Sequence, residues 1–393
     1  MQLSVIILNY NVRYFLELCV LSVQKAIQNI DAEIIVVDNN SSDDSCAMMK
    51  KHFPNVKLIE NKTNFGFPKG NNIGVDQAKG EYICILNPDT VVAEDTFSKI
   101  LSFCHTVPKF RDVEGPNSKP ETRNSQLGII GCKLIDGTGN FLPESKRGVP
   151  TPWVAFTKIF GLYKISNVFG KYYAQHLAEN QSGKVDILVG AFMVMKRSLY
   201  LEVGGFDENC FMYSDDIDLS YMVKKSGREN YYFAETSVIH YKGESTVRDE
   251  KYMKRFQEAM NFFYNKHFKK SLFFSGFMKI GAFVFSKIKK SQQKNRIIAV
   301  DNYIFFSKNE VQLALEKPIS YQTNLLDFSP NSKLQTEIIF DIQSFSFKEI
   351  IDFMQKHKAA TITYKMYLPQ SKVIIGSNHA NDIGEIINLS KIA

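Results

Sequence analysis

Three continuous apolar runs of strand length, SVIILN (Ser4 to Asn9), EIIVVD (Glu33 to Asp38) and EYICIL (Glu81 to Leu86), restrict this chain more than any other feature. Apolar runs without alternation suit strands buried on both faces, and such strands belong to parallel sheets covered by helices. The intervening segments supply the helices: helical spacing from Tyr14 to Ile27, a polar turn NNSSDDS opening a second, and a third running to about Ala78. That third helix follows the short strand VKLIEN and the segment NFGFPKGNN, where Gly66 and Gly70 permit close backbone approach. The pattern predicts a doubly wound α/β half. Ligands of such sheets collect at the carboxyl ends of the strands. Polar residues gather there: Asn9, Tyr10 and Asn11; Asp38, Asn39 and Asn40; Asn87, Pro88 and Asp89. No GxGxxG follows the first strand, which argues against a dinucleotide fold.

At 393 residues, there is length for one large unit and a smaller one. A hydrophobic share of 44% with 23% charged residues is ordinary for a globular chain. The basic excess, 48 − 41 = 7, suits an anionic substrate or an acidic membrane face. No dense basic and aromatic patch accompanies it, so nucleic acid is not an expected partner. Six cysteines (Cys19, Cys46, Cys84, Cys104, Cys132, Cys210) are scattered without metal-like pairs and read as reduced core residues of a cytoplasmic chain. MQLSVIILNY lacks a basic leader and a cleavage site, and reads as a first strand.

Beyond residue 107 the chain turns polar and proline-rich (Pro108 to Gln126), a surface loop by composition. LGIIGCKLID restores a strand, and pattern is lost again through Arg147, Pro150 and Trp153 to about Gly183. KVDILVGAFMVMKRSLY (Lys184 to Tyr200) reads as one strand in which Gly190 and Ala191 are small enough for a substrate to approach. GGFDENCFMYSDDIDL follows, with Ser214 as expected N-cap and Asp215, Asp216 and Asp218 in the first helical turn. Acids there complement the helix dipole; the apolar Phe211, Met212 and Tyr213 before them also suit a desolvated general base. The 3.6-residue repeat suggests that only one of Asp215 and Asp216 faces a given cavity squarely. ENYYFA and SVIHYKGEST are two further strand-like stretches, the second carrying His240. Asp89 is compatible with an Asx-type turn or with a ligand to a hard divalent cation. His240 is compatible with a core histidine or with a second ligand to the same ion.

Asp249 to Lys270 carries a helical apolar stripe. SLFFSGFMKIGAFVFSKIKK (Ser271 to Lys290) is an amphipathic basic helix, interrupted at Lys279 and short of the ~20 residues that span a bilayer. It suits either the surface of an acidic cytoplasmic leaflet or a linker packed between two units. From residue 294 the alternation resumes through RIIAVDNYIFF, TEIIFDIQ, FKEIIDFMQKH and KVIIGS, a small α/β appendage of unassigned role.

In order, SVIILNYN, EIIVVDNNSSDDS, NFGFPKGNNIG, ILNPD, the GA-containing strand, GGFDENCFMYSDDIDL and IHYKGEST resemble glycosyltransferase family 2, in particular its rhamnosyltransferase-like branch of bacterial surface-polysaccharide enzymes. The resemblance covers Leu3 to Lys270. It implies a GT-A fold, Rossmann-like with a mixed central sheet, over residues 1–270; the basic linker helix (271–293) and the small α/β appendage (294–393) lie beyond the resemblance. It implies that Asn9, Tyr10, Asn11 and Asp38 hold the base and ribose of a nucleotide sugar, with Asn64, Gly66 and Asn71 beside it. NPD stands where the family often has a DXD motif, so Asn87 replaces the first acid and Asp89 remains to hold Mn2+ or Mg2+ together with His240. SDDID stands at the Glu-Asp-x-Asp pattern. This makes Asp216 the catalytic base and Asp215, with Gly190, a contact of the donor or acceptor sugar.

The expected function is inverting transfer of rhamnose or a hexose from a dTDP- or UDP-sugar to a saccharide acceptor, lipid-linked in that branch, at the inner face of the cytoplasmic membrane. Two other classes compete. A nucleotidyltransferase would need a Gly- and Lys/Arg-rich phosphate loop that NYNVRYF does not provide, and a catalytically silent carbohydrate- or partner-binding module would be marked by loss of Asp89, Asp216 or His240, all of which are present.

Overall fold

The computed structural model describes residues 1–106, 127–151, 154, 172–242, 250–268, 299–329, 333–378 and 384–389. Its first part follows the alternation: β1 (Leu3–Asn9), α1 (Arg13–Ala26), β2 (Ala32–Asp38), α2 (Ser45–His52), β3 (Lys57–Glu60), α3 (Gly66–Asp76) and β4 (Tyr82–Leu86). Strand β1 pairs in parallel with β2 and β4, and β2 with β3. Every residue of β1 and β4 is buried, as coverage of both faces requires.

The sheet then changes character. After β5 (Thr90–Val92) and α4 (Thr96–Thr106) come β6 (Leu127–Ile135), β7 (Gly183–Val185), β8 (Phe192–Lys196), α5 (Arg197–Glu202), α6 (Asp215–Lys225), β9 (Glu229–His240) and α7 (Glu250–His267). The order is β3-β2-β1-β4-β8-β6-β9-β5, with β7 on β9. Strand β8 runs antiparallel to β4, and β5 antiparallel to β9, which gives the mixed central sheet expected of the GT-A resemblance. Reversal brings the start of β8 beside the end of β4: Leu86 pairs with Phe192, and the Asn87 amide donates to the Ala191 carbonyl at 3.0 Å. It likewise sets the end of β9 against β5, where His240 pairs with Thr90. Gly190 and His240 thereby reach the edge at which β1, β2 and β4 finish.

Two expected boundaries change. Lys184 to Tyr200 is not one strand but β7, an irregular turn through 186–191, β8 and a helix. ENYYFA and SVIH are one twelve-residue strand, β9, whose pairing with β6 shifts register between Cys132 and Lys133 and so absorbs the polar residues between them. The six cysteines are free, five buried and Cys46 half-buried.

A second sheet contains β10 (Asn302–Phe306), β11 (Ile319–Gln322), β12 (Thr336–Asp341), β13 (Ile362–Leu368), β14 (Val373–Gly376) and β15 (Glu385–Asn388), in the order β11-β10-β12-β13-β14-β15, with α8 (Phe347–Lys356) between β12 and β13. One apolar cluster is shared with the first sheet: Phe15, Leu18, Val91, Ile239 and Tyr241 pack with Ile338, Phe340 and Ile350. Polar contacts reinforce it. The Glu94 carboxylate accepts the amides of Phe347 and Lys348, each at 2.8 Å, satisfying two N–H groups at the start of α8 from the other sheet. The expected basic helix over 271–293 and the polar loop of 108–126 lie outside the described residues. Among the described residues, no helix is long and apolar enough to cross a membrane.

Candidate active site

Asn9 and Asp38 are register partners at the ends of β1 and β2, and both are buried. Asn9 donates Nδ2 to Asp38 Oδ1 at 2.8 Å and to Ser41 Oγ at 3.1 Å. Ser41 returns its amide to Asp38 Oδ2 at 2.8 Å and its hydroxyl to Oδ1 at 2.6 Å. Asn9 Oδ1 is left without a partner among the described residues. Asn11 takes a left-handed backbone, φ 57°, and accepts the Ser42 amide at 2.7 Å. Tyr10 between them is 40% exposed, which leaves its ring open to a flat ligand. Asn39 extends the network, donating to Asn64 Oδ1 at 2.9 Å and to the Gly66 carbonyl at 3.1 Å. Gly66 has φ +82°, and a Cβ there would stand 2.7 Å from the Phe211 carbonyl oxygen, so only glycine serves where α3 begins. Asn71 is buried with its Oδ1 unpartnered.

Further along this edge, Asp89 and His240 are both buried, with His240 Nε2 standing 3.4 Å from Asp89 Oδ1 and 3.4 Å from Asn87 Nδ2. Asp89 Oδ1, Asn87 Oδ1 and His240 Nδ1 have no hydrogen-bond partner among the described residues. A buried carboxylate oxygen without a hydrogen bond is costly, and an oxygen donor beside an imidazole fits Mn2+ or Mg2+. No group of three or more His, Cys, Asp or Glu that could hold a metal ion is present among the described residues, so the remaining ligands would have to come from a bound molecule or water.

The carboxylate pair lies over Gly190. Asp216 Oδ2 accepts the Gly190 amide at 3.0 Å and the Arg147 guanidinium at 2.6 Å. A Cβ on Gly190 would meet Asp216 Cβ at 3.3 Å and Asp215 Oδ2 at 3.7 Å, so both acids lie beside it. Asp215 and Asp216 are the first two residues of α6. Asn87, joined to Ala191, connects this pair to Asp89. Ser214 occupies the N-cap position, but its hydroxyl faces Cys210 Sγ at 3.2 Å and makes no cap bond. Asp218 turns away from the edge: His267 Nε2 at 2.5 Å and Lys266 Nζ at 2.8 Å tie it to α7.

Burial and the neighbouring Asp216 charge push the Asp215 carboxyl up to about 7, against the pull of two backbone amides and Arg147. Its Oδ1 has no partner. Folded Asp215 holds its proton at pH values where the unfolded chain has released it. The stability it allows is therefore greatest below 3.8, declines from there to about pH 7 and stays low above. Asp215→Asn is expected to melt higher than the parent at pH 8, with the gap closing toward pH 4; equal melting at pH 8 would contradict this placement of Asp215.

Nothing in the sequence around Arg147 marks it, because it stands in a stretch without periodicity. A reciprocal pair of backbone bonds with Ile187, 2.9 Å each, fixes it. The bond from its NH2 to the Leu188 carbonyl at 2.8 Å then aims the guanidinium at Asp216. Burial opposes the charge on Arg147, and Asp216, with smaller help from Tyr172 and Glu144, more than restores it.

The model of the family described as Glycosyl transferase family 2 matches residues 4–204, and the chain belongs to that family. The chain is 25% identical over 227 residues to the N-acetylglucosaminyl-diphospho-decaprenol L-rhamnosyltransferase of Mycobacterium tuberculosis, covering 55% of this chain and 68% of the relative. It is 29% identical over 188 residues to the GalNAc(5)-diNAcBac-PP-undecaprenol beta-1,3-glucosyltransferase of Campylobacter jejuni, covering 46% and 54%. Among solved structures, a mannosyltransferase from Pyrobaculum calidifontis in complex with GDP-Man and Mn2+ is similar at TM-score 0.45 and 17% identity, over 72% of this chain and 69% of the other.

Proposed function

We propose that this chain transfers a rhamnosyl or hexosyl group from a dTDP- or UDP-sugar to a hydroxyl of a saccharide carried on a lipid diphosphate, with inversion at the anomeric carbon. The observation that carries this reading is the arrival at one sheet edge of Asp89 with His240 and of the Asp215–Asp216 pair, linked through Asn87, Ala191 and Gly190. The relatives' names support the acceptor class, since both include a polyprenol diphosphate. Such an acceptor would keep the chain at the inner face of the cytoplasmic membrane, and the basic stretch around Lys287, Lys289 and Lys290 suits its acidic leaflet.

In this mechanism Asn9, Tyr10, Asn11 and Asp38 hold base and ribose, flanked by Asn64, Gly66 and Asn71. Asn87 lies alongside the diphosphate. A Mn2+ or Mg2+ held by Asp89 and His240 would supply charge that neutralises a diphosphate. Gly190 leaves room for the sugar, and Asp215 orients it. Asp216 takes the proton of the acceptor hydroxyl as that oxygen bonds to the anomeric carbon from the face opposite the diphosphate. The bond from that carbon to the diphosphate oxygen breaks, its electron pair leaving with the nucleoside diphosphate, so a single displacement inverts the centre.

A thermal-shift panel of nucleotide sugars tests this reading and narrows the donor. One or more nucleoside-diphosphate sugars should raise the melting temperature, and more so with Mn2+ present. Stabilisation by nucleoside triphosphates but by no nucleotide sugar would favour nucleotidyl transfer instead.

A further inference from the structure

We infer that Arg147 is a positioning residue of this reaction: by gripping Asp216 Oδ2 it fixes the rotation of the carboxylate and presents the other oxygen to the acceptor hydroxyl. The inference rests on the reading of Asp216 as the proton acceptor. The geometry is that of a clamp. The guanidinium at 2.6 Å and the Gly190 amide at 3.0 Å both fall on Oδ2, and neither uses Oδ1. The clamp is anchored in turn, because the same Arg147 NH2 donates to the Leu188 carbonyl at 2.8 Å.

Stability alone gives little reason for such a pair. Both side chains are about nine-tenths buried, and apolar residues of similar volume often do as well or better in the place of a buried ion pair. What the pair supplies is direction. A planar guanidinium bonds carbonyl and carboxylate at fixed angles, which an ammonium on a flexible stem does not reproduce. The other titratable groups that act on the pair are Asp215 beside Asp216, and Glu144 and the neutral phenol of Tyr172 near the guanidinium. Glu144 is itself ion-paired to Lys242. Arg147 is thus the one cation among the described groups that bonds the carboxylate pair.

The test is kinetic, on the full chain with its nucleotide sugar. Arg147→Met should lower kcat by about 10²-fold, the scale for a displaced reacting group, with donor KM little changed. Loss of the cation should also displace the acid limb of the kcat profile to higher pH. Arg147→Lys should keep the limb in place and still lose kcat, because charge remains and direction does not. Full kcat in Arg147→Lys would overturn the inference, as would losses in both variants that are uniform with pH and follow a fall in melting temperature. Should Arg147→Met fail to fold, Arg147→Lys alone decides. An active Asp216→Asn would instead remove the underlying reading of Asp216, so the two failures are separable.

Discussion

Asp216→Asn is expected to reduce turnover by about 10²–10⁴-fold, the range typical of a lost general base, and to leave nucleotide binding near that of the parent. The substitution isolates proton transfer well. An amide oxygen can occupy the place of Oδ2 and keep the bonds from Gly190 and Arg147, so the frame of the site survives while the ability to take a proton is lost. The residues proposed to hold the nucleotide stand apart on β1 and β2, where Asn9 Nδ2 and the Asp38 carboxylate are bonded to each other and to Ser41. Nucleotide affinity measured by calorimetry should therefore not follow kcat. Removing the charge leaves the Arg147 cation uncompensated, and breaking a buried pair costs about 3–5 kcal/mol in comparable cases. A melting curve must accompany the assay, and the loss of kcat must exceed what unfolded protein explains.

The second large effect concerns Asp89 and His240. Asp89→Asn and His240→Ala are each expected to weaken nucleoside-diphosphate binding about tenfold or more, equivalent to about 1.4 kcal/mol or greater, and only when Mn2+ or Mg2+ is present. With the cation chelated, parent and variants should bind alike. The expectation follows from Asp89 Oδ1 and His240 Nδ1, which have no hydrogen-bond partner among the described residues, and from the absence among those residues of a group of three or more His, Cys, Asp or Glu that could hold a metal ion. A site with two protein ligands holds its ion mainly in company with the diphosphate, so the benefit of the ion and that of the nucleotide should appear together. Equal weakening with and without the cation would mean that Asp89 and His240 serve the pocket by packing alone.

Much of this site was legible before any coordinates. Unbroken apolar runs identify β1, β2 and β4 as buried parallel strands, and the polar residues at their ends are the ones that converge. The illegible parts share a physical reason, that their placement is set by distant partners. The stretch from Ile187 to Met195 carries no polar side chain, and periodicity cannot separate a strand from an irregular crossing buried beside it. The segments at 229–234 and 237–240 look interrupted because the ETS residues are polar, whereas a register shift against β6 carries the strand through them. Arg147 has no local signal, since its role depends on Ile187, Leu188 and Asp216, the last of them 69 positions away. Ser214 has a good N-cap residue type, but Cys210 engages its hydroxyl instead.

The account stands on Asp89 and Asp216 serving one bound molecule, and a crystal structure of the Asp216→Asn chain with Mn2+ and the nucleotide sugar selected by the thermal-shift panel tests that directly. The diphosphate should lie against Asp89 and His240, with the anomeric carbon over Gly190 and its open face turned toward residue 216. A nucleotide sugar bound with its anomeric carbon remote from residue 216, or with its diphosphate away from Asp89, would contradict the account.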